Sequence, residues 1–112
     1  MQLIRTFAEQ VFIQRKSTKG EIIMVTMLIQ IKVKDFAEWK KVFESGSGLR
    51  TSNGELSHQI YHEANDPNKI FAIYKWNSLS NAQKFAQSSE LKTAMMEAGV
   101  QGPPNVYFLN EA

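Results

Sequence analysis

The sequence predicts an α+β fold, in which a four-stranded antiparallel sheet carries helices on one of its faces. Three observations predict this fold. Residues 25–33 alternate apolar and polar side chains with the period of two that marks a strand, and an apolar stripe with helical spacing follows at residues 36–43. The predicted elements then run strand, helix, strand, strand, helix, strand. Right-handed crossovers in that order place both helical segments on the same face of the sheet, which is the ferredoxin-like βαββαβ arrangement.

The first strand and helix have the clearest patterns. The apolar face of the strand consists of Val25, Met27, Ile29, Ile31 and Val33. Asp35 precedes the helix and can cap it, with Glu38 three residues later as its capping-box partner. Each of Gly46 and Gly48 costs about 1 kcal/mol in a helix interior, so we expect a kink or an early end there. The helix should stop at Asn53-Gly54.

A β-hairpin is expected next. Residues 56–63 and 70–76 are rich in β-branched and aromatic side chains, and residues 64–68 between them contain Asp66-Pro67 and two asparagines, which favour turns. The two runs should therefore pair as antiparallel strands.

The second helical segment has several possible start signals. Residues Ser78 to Ser80 offer several N-caps, and Ser80 forms a capping-box pattern with Gln83. Ser88 or Ser89 can then restart the helix, which ends at Gly99. Gly102-Pro103-Pro104 forbids a continued helix. Residues 106–109 are expected to form a short last strand.

The chain divides into an N-terminal extension, residues 1–23, and a folded domain, residues 24–112. In the extension Leu3, Phe7 and Val11 recur with helical spacing, although residues 11–13 could equally begin a strand. Met24 resembles a natural start, which leaves a loosely packed extension as the alternative.

Composition excludes several classes of protein. The chain has 13 basic and 11 acidic residues, and a net charge of +2 is too small to indicate a nucleic acid or an anionic membrane as partner. Without cysteine there is no disulfide scaffold, thiolate nucleophile or cysteine-type zinc site. No apolar run approaches the roughly 20 residues of a membrane span, and Arg5 and Glu9 interrupt any signal-peptide core. We therefore expect a cytoplasmic protein.

The strand at residues 70–76 is apolar on both faces. Phe71 and Ile73 lie on one face, and Ile70, Ala72, Tyr74 and Trp76 lie on the other. Helices can cover only one face of the sheet. Leaving the second apolar face exposed to water would lose several kcal/mol of hydrophobic stabilisation, at about 25 cal/mol per Å2 of buried surface. We expect a second copy of the chain to cover it, giving a homodimer. The monomeric alternative is that the N-terminal extension folds over this face.

Several motifs in residues 25–112 carry a family resemblance: Asp35-Phe36 followed by Trp39-Lys40 and Phe43, the Asp66-Pro67-Asn68 turn, and residues 98–109. In these motifs the chain resembles the dimeric α/β-barrel superfamily, and within it small cyclase-like and antibiotic-biosynthesis-monooxygenase-like proteins. The resemblance implies two ferredoxin-like subunits that form a barrel, each with a pocket between sheet and helices. Relatives include cofactor-independent oxygenases of polycyclic phenols and haem-degrading enzymes. Their catalytic residues have no match here that can be carried over.

His58 and His62 are the candidate catalytic residues. Their spacing equals that of the two histidines in a zincin helix, but Gln59 cannot serve as the base and the segment is a predicted strand. Residues four apart in a strand are separated by roughly 13 Å, so we expect no metal site here. Both imidazoles should point to the same face, where either could act as a general base. The alternative is a pair of solvated edge-strand histidines.

The candidate ligand-binding residues are Tyr74, Trp76 and Arg50. The two aromatic rings could stack on an aromatic ligand or pack in the core, and Arg50 could hold a carboxylate or lie on the surface. Gly46-Ser47-Gly48 lies in a helix C-terminal half and lacks a following Gly-Lys-Ser/Thr, so it does not predict a phosphate loop.

Two hypotheses of function follow. The first is a homodimer that binds a small aromatic metabolite and acts on it as a monooxygenase-like or cyclase-like enzyme, with no cofactor. The second is a non-catalytic dimer that serves as a ligand-binding or structural module. Both include a small-molecule ligand or the chain itself as partner, and neither includes nucleic acid or a membrane.

Overall fold

The computed structural model describes residues 24–112, which form one antiparallel sheet with the strand order β2-β3-β1-β4. The strands are β1 (Val25–Val33), β2 (Glu55–Glu63), β3 (Asp66–Trp76) and β4 (Val100–Leu109). Between β1 and β2 lie α1 (Phe36–Ser45) and α2 (Ser47–Asn53), and between β3 and β4 lie α3 (Leu79–Ala86) and α4 (Ser89–Glu97). The predicted α+β ferredoxin-like fold is confirmed. The expectations for the N-terminal extension lie outside the described residues.

The core lies between the two central strands and the helices. In the register of β1 with β3, Met27 pairs with Tyr74 and Ile29 pairs with Ala72, so these four side chains share the helix-covered face. All of them are buried. The period-two pattern of β1 therefore predicted the buried face correctly.

Glycines separate the helices of the first crossover. The backbone N–H of Gly46 donates to the carbonyl oxygens of Val42 and Phe43, both at 3.2 Å, and α2 begins at the next residue. Gly54 then ends α2 in a left-handed conformation, with φ of 120°. The expected break at Gly46 and the stop at Asn53-Gly54 are both found.

Two predicted caps differ from the structure. Asp35 occupies the N-cap position of α1, but its side chain makes no capping hydrogen bond. The cap comes from Asn68, whose Oδ1 accepts a hydrogen bond from the backbone N–H of Phe36 at 3.0 Å. In the second crossover the Ser80–Gln83 pair does not cap α3. The cap is Ser78, another of the candidates at residues 78–80, whose hydroxyl accepts a hydrogen bond from the backbone N–H of Asn81.

Two predicted boundaries were also wrong. The hairpin turn is shorter than expected, since Glu63 pairs with Asp66 and only residues 64–65 form the turn. The last strand begins at Val100 rather than at residue 106. Gly102, with φ of 74°, lets the chain pass an irregularity in the register with β1 and resume pairing after the two prolines.

Within residues 24–112, no helix lies on the opposite face of the sheet. Leu28 pairs with Ile73 on β3 and with Tyr107 on β4, and Phe71 pairs with Tyr61 on β2. Tyr61 and Tyr107 are about half exposed. We call this set of five side chains the open face; it continues the second apolar face predicted for β3. In the part of the chain that the structure describes, none of the helices is long and apolar enough to cross a membrane.

Candidate functional site

A cavity lies between the sheet and the helices. Its floor consists of Ile29, Ile31, Ala72 and Tyr74, contributed by the two central strands. The other lining side chains come from all four helices and their ends; the most prominent are Trp39, Val42, Phe43, Arg50, Phe85, Leu91 and Met95. An apolar cavity with few polar groups is typical of a site for a small organic ligand.

The cavity is small and is open to solvent on one side. Its volume is about 70 Å3. Since an apolar cavity of about 150 Å3 is known to hold benzene, an aromatic ligand would fill this cavity and extend into its mouth. Leu49 and Glu90 are the exposed members of the lining and mark that mouth.

Arg50 is the one buried cation among the described residues. Its Nε donates to Glu55 Oε1 at 2.6 Å, and its Nη1 donates to the carbonyl oxygen of Phe43 at 2.8 Å. The guanidinium carbon lies 3.9 Å from the centre of the Phe43 ring, a cation–π contact. Its Nη2 is buried and has no hydrogen-bond partner within residues 24–112. A buried donor left unpaired is costly, so this group favours an acceptor supplied by a ligand.

Glu55 joins Arg50 to His58. Its Oε2 lies 2.6 Å from Nδ1 of His58, while its Oε1 binds Arg50. The Glu55 side chain is only 6% exposed, against 36% for that of His58. The His58 ring meets the edge of the Phe43 ring, with centroids 4.9 Å apart, and lies 6.4 Å from the Tyr74 ring. His58 is not part of the cavity lining, but its ring lies next to two residues that are, Phe43 and Tyr74.

Tyr74 lies on the cavity floor, and its hydroxyl stays protonated well beyond the normal range. Burial raises the pKa of Tyr74, and the negative charge of Glu55 raises it further. The nearby positive charge of Arg50 lowers it, but by less than burial raises it. The phenol can therefore donate a hydrogen bond to a bound oxygen atom but is not a base.

The other two predicted site residues lie apart from the cavity. His62 packs against the Phe36 ring, with centroids 5.6 Å apart, and its Nδ1 lies 3.0 Å from the carbonyl oxygen of Glu63. Trp76 is fully buried and packs against Phe85 at 5.1 Å, outside the lining of the cavity. The structure thus brings together Arg50, His58 and Tyr74, and places His62 and Trp76 elsewhere.

Sequence reasoning missed Glu55. By strict alternation Glu55 and His58, three residues apart, would lie on opposite faces of β2. A bulge between Glu55 and Ser57 adds a residue, and both side chains reach the helix-covered face, since Glu55 pairs with Trp76 and His58 with Tyr74. The one available signal was Gly54, next to a charged residue at the start of a predicted strand. Trp39 and Phe43 were recognised only as core.

Comparisons of the sequence and the fold with known proteins agree on one family. Residues 22–97 match the sequence profile of the family described as antibiotic biosynthesis monooxygenase. No protein with a curated description matches the sequence.

Three solved structures illustrate the likeness in fold. A Bordetella bronchiseptica protein described as a candidate antibiotic biosynthesis monooxygenase is 16% identical, with a TM-score of 0.68 over 80% of this chain and 97% of its own. SnoaB, a cofactor-independent oxygenase from Streptomyces nogalater, is 15% identical, with a TM-score of 0.62 over 80% and 95%. A Caulobacter crescentus protein, again a candidate antibiotic biosynthesis monooxygenase, is 18% identical, with a TM-score of 0.65 over 81% and 92%. Identities this low show a shared fold.

Proposed function

Because this chain belongs to the antibiotic biosynthesis monooxygenase family, we propose that it is a cofactor-independent, monooxygenase-like enzyme that acts on a small aromatic metabolite in the cavity. One observation carries the proposal. The cavity is walled by apolar and aromatic side chains, and it contains a single buried cation, Arg50, whose Nη2 has no partner among the described residues. SnoaB, which is similar in fold, is a cofactor-independent oxygenase.

The chemistry of such a reaction determines what the site must supply. When the substrate itself provides the electrons, an activated methylene group reacts with one molecule of dioxygen to give a ketone and one molecule of water. One oxygen atom enters the carbonyl group, and the other leaves as water with the two methylene hydrogens. The first requirement is a base that takes a proton from the methylene group, and the second is a group that stabilises the resulting enolate oxygen.

His58 is the proposed base. An imidazole is the side chain best suited to proton transfer near neutral pH, and a positioned base typically contributes 10²- to 10⁴-fold to the rate. His58 lies behind the cavity-lining Phe43 and Tyr74, and its Nε2 makes no hydrogen bond within residues 24–112. Substrate entering through the mouth would have to displace the Phe43 ring edge to reach it.

Arg50 is the proposed partner of the developing negative charge. A buried guanidinium with an unpaired N–H can donate to an enolate or phenolate oxygen, and such a charge-assisted bond is stronger in a site that excludes water. The Tyr74 hydroxyl, protonated and on the floor, is a second donor to the same oxygen.

Anthrone, which has a methylene group between two aromatic rings, is the test substrate. We expect protein-dependent oxygen uptake with one anthraquinone formed per dioxygen consumed. We expect this turnover to fall about 10²- to 10⁴-fold in the His58→Ala variant, while His62→Ala, which changes an imidazole outside the cavity, should retain it. Quenching of tryptophan fluorescence reports binding separately, because Trp39, one of the two tryptophans, lines the cavity.

The same experiment decides between the two hypotheses. Saturable quenching without oxygen uptake would favour a non-catalytic ligand-binding module, in which Arg50, Glu55 and His58 only stabilise the fold. If anthrone causes no quenching and no oxygen uptake, the proposed function is contradicted.

A homodimer, with the open face as its interface, is part of the proposal. Leu28, Phe71, Ile73 and the two half-exposed tyrosines form a contiguous apolar surface that water would otherwise cover. A symmetric dimer would bury it by matching the surface with itself. The cytoplasmic location stays a prediction that cell fractionation tests.

A further inference from the structure

We infer that Glu55 is the positioning residue of this site: it holds the His58 ring in one orientation and one tautomer, so that Nε2 is the basic nitrogen. The inference rests on the proposed function for the role of His58 as a base, but its central claim concerns the imidazole alone.

The geometry of the carboxylate supports this role. Each oxygen of Glu55 has its own partner at 2.6 Å, Oε1 with Arg50 Nε and Oε2 with His58 Nδ1. Arg50 is in turn fixed by its bond to the carbonyl oxygen of Phe43 and by its contact with the Phe43 ring. The carboxylate therefore cannot turn away from His58 without breaking its contact with a buried cation.

The tautomer follows from the chemistry of the contact. An ionised carboxylate only accepts hydrogen bonds, so the nitrogen facing it must carry the proton. In the neutral imidazole Nδ1 is then the N–H donor, and the lone pair lies on Nε2. When Nε2 takes a proton from substrate, the imidazolium remains bonded to Glu55, whose charge stabilises it.

The ring is also held from its sides. The Phe43 ring meets His58 nearly at right angles, at 89°, and Tyr74 contacts it from β3, the neighbouring strand. The hydrogen bond to Glu55 and these two rings together restrict the orientation of the imidazole. An Arg50–Glu55 pair that served only for stability would need no imidazole on its second oxygen.

The local backbone is built to bring Glu55 to this position. Gly54, with φ of 120°, precedes it, and the backbone N–H of Asn77 donates to the Gly54 carbonyl oxygen at 2.9 Å. The bulge that follows places Glu55 and His58 on the same face. Bulges commonly re-aim a side chain next to an active site.

The first test is the tautomer of His58 in the full-length protein without any ligand. The chain has two histidines, so long-range proton–nitrogen NMR spectra of the imidazoles give two sets of signals, and His62 is an internal control. In alkaline buffer, where imidazoles are neutral, we expect His58 to carry its proton on Nδ1. In Glu55→Gln we expect a mixture of tautomers at His58 and no change at His62. A wild-type His58 with its proton on Nε2 would overturn the inference, whatever the variant does.

The second test is a double-mutant cycle with anthrone oxidation. We expect Glu55→Gln to lower kcat about 10- to 100-fold with little effect on KM, and to have no further effect in the His58→Ala background, since Glu55 acts through that ring. Glu44→Gln, an exposed carboxylate on α1, is the matched control and should leave kcat unchanged.

The outcomes separate the inference from the proposed function. Full activity in His58→Ala would contradict the assignment of the base, while the Nδ1 tautomer could still be found. Loss of activity in His58→Ala together with wild-type kcat in Glu55→Gln would overturn the inference and leave the proposed base in place. A purely structural Glu55 would instead lower activity by the same factor in both backgrounds.

Discussion

Asn68 caps helix α1 through Phe36, although 32 residues separate them in the chain. Its Oδ1 accepts a hydrogen bond from the backbone N–H of Phe36 at 3.0 Å, and its Nδ2 donates to the carbonyl oxygen of Lys34 at 3.3 Å. Its own backbone N–H donates to Asp66 Oδ1 at 3.0 Å. Asn68, which lies in β3, thus caps α1 in place of a residue next to the helix, and it connects the start of α1 to β3.

Replacing Asn68 with Ala should lower the free energy of unfolding by about 1 kcal/mol, the usual cost of losing a helix cap. Asp35→Ala is the matched control, because the Asp35 side chain makes no capping bond, and it should cost less. Urea denaturation of both variants measures the difference. Equal losses would mean that the cap is not at Asn68.

Two glycines in the same crossover should respond in opposite ways to alanine. At Gly54 φ is 120° and a Cβ atom would lie 2.5 Å from Asn77 Oδ1, so Gly54→Ala should destabilise the fold by more than about 1 kcal/mol. At Gly48 a Cβ atom meets nothing within 4 Å, and Gly48→Ala should stabilise α2 by about 0.5 kcal/mol. Thermal unfolding of the two variants checks both signs; a stabilised Gly54→Ala would contradict the left-handed assignment.

Ile73→Asp should dissociate the proposed homodimer. Ile73 lies on the open face between Leu28 and Gln59, and a charge there cannot be buried against an apolar copy of the same surface. Native mass spectrometry should show two chains for the wild type and one 12.8-kDa chain for the variant. Lys41→Asp, on an exposed part of α1, should remain dimeric. A wild type that is itself a single chain would contradict the proposed dimer.

Tyr74 should make stability depend on pH in the alkaline range. Because burial raises the pKa of Tyr74 above its ordinary value of 10.0, the folded state favours the neutral phenol. That contribution is complete below pH 10.0 and is lost as the pH rises above it toward the higher value in the folded state. In Tyr74→Phe the free energy of unfolding should therefore fall less steeply over this range. Identical slopes for the two proteins would show that Tyr74 is not shielded from water.

The parts of the fold that follow local periodicity could be predicted from sequence. The alternation of β1 is confirmed by its burial, and the break at Gly46 follows from helix propensity. The cap at Asn68 could not be located in the same way, because Asn68 lies far from α1 in the chain and reaches it only through the folded sheet. For α3 the sequence offered several candidates at residues 78–80, and tertiary contacts select Ser78 among them. The long β4 was missed because Gly102 and two prolines look like a terminator in sequence, yet the outer edge of the sheet tolerates them.

The candidate site was predictable only in part. Side chains such as Arg50 and Tyr74 could be nominated by chemistry, and both line the cavity. Glu55 could not, because its contact with His58 depends on a bulge that reverses the alternation of β2. Trp76 has the right chemistry for a ligand platform, but α3 covers it with Phe85.

The lining of the cavity comes from two kinds of element, the central strands of the sheet and the helices that cover them. Ile29 and Ala72 are buried on the paired central strands, whereas Leu91 and Met95 belong to α4, a short helix with no buried residue. Exchanges on α4 can therefore resize the chamber while the scaffold stays the same. Related proteins that differ in substrate preference would then be expected to differ mainly in the side chains of α4.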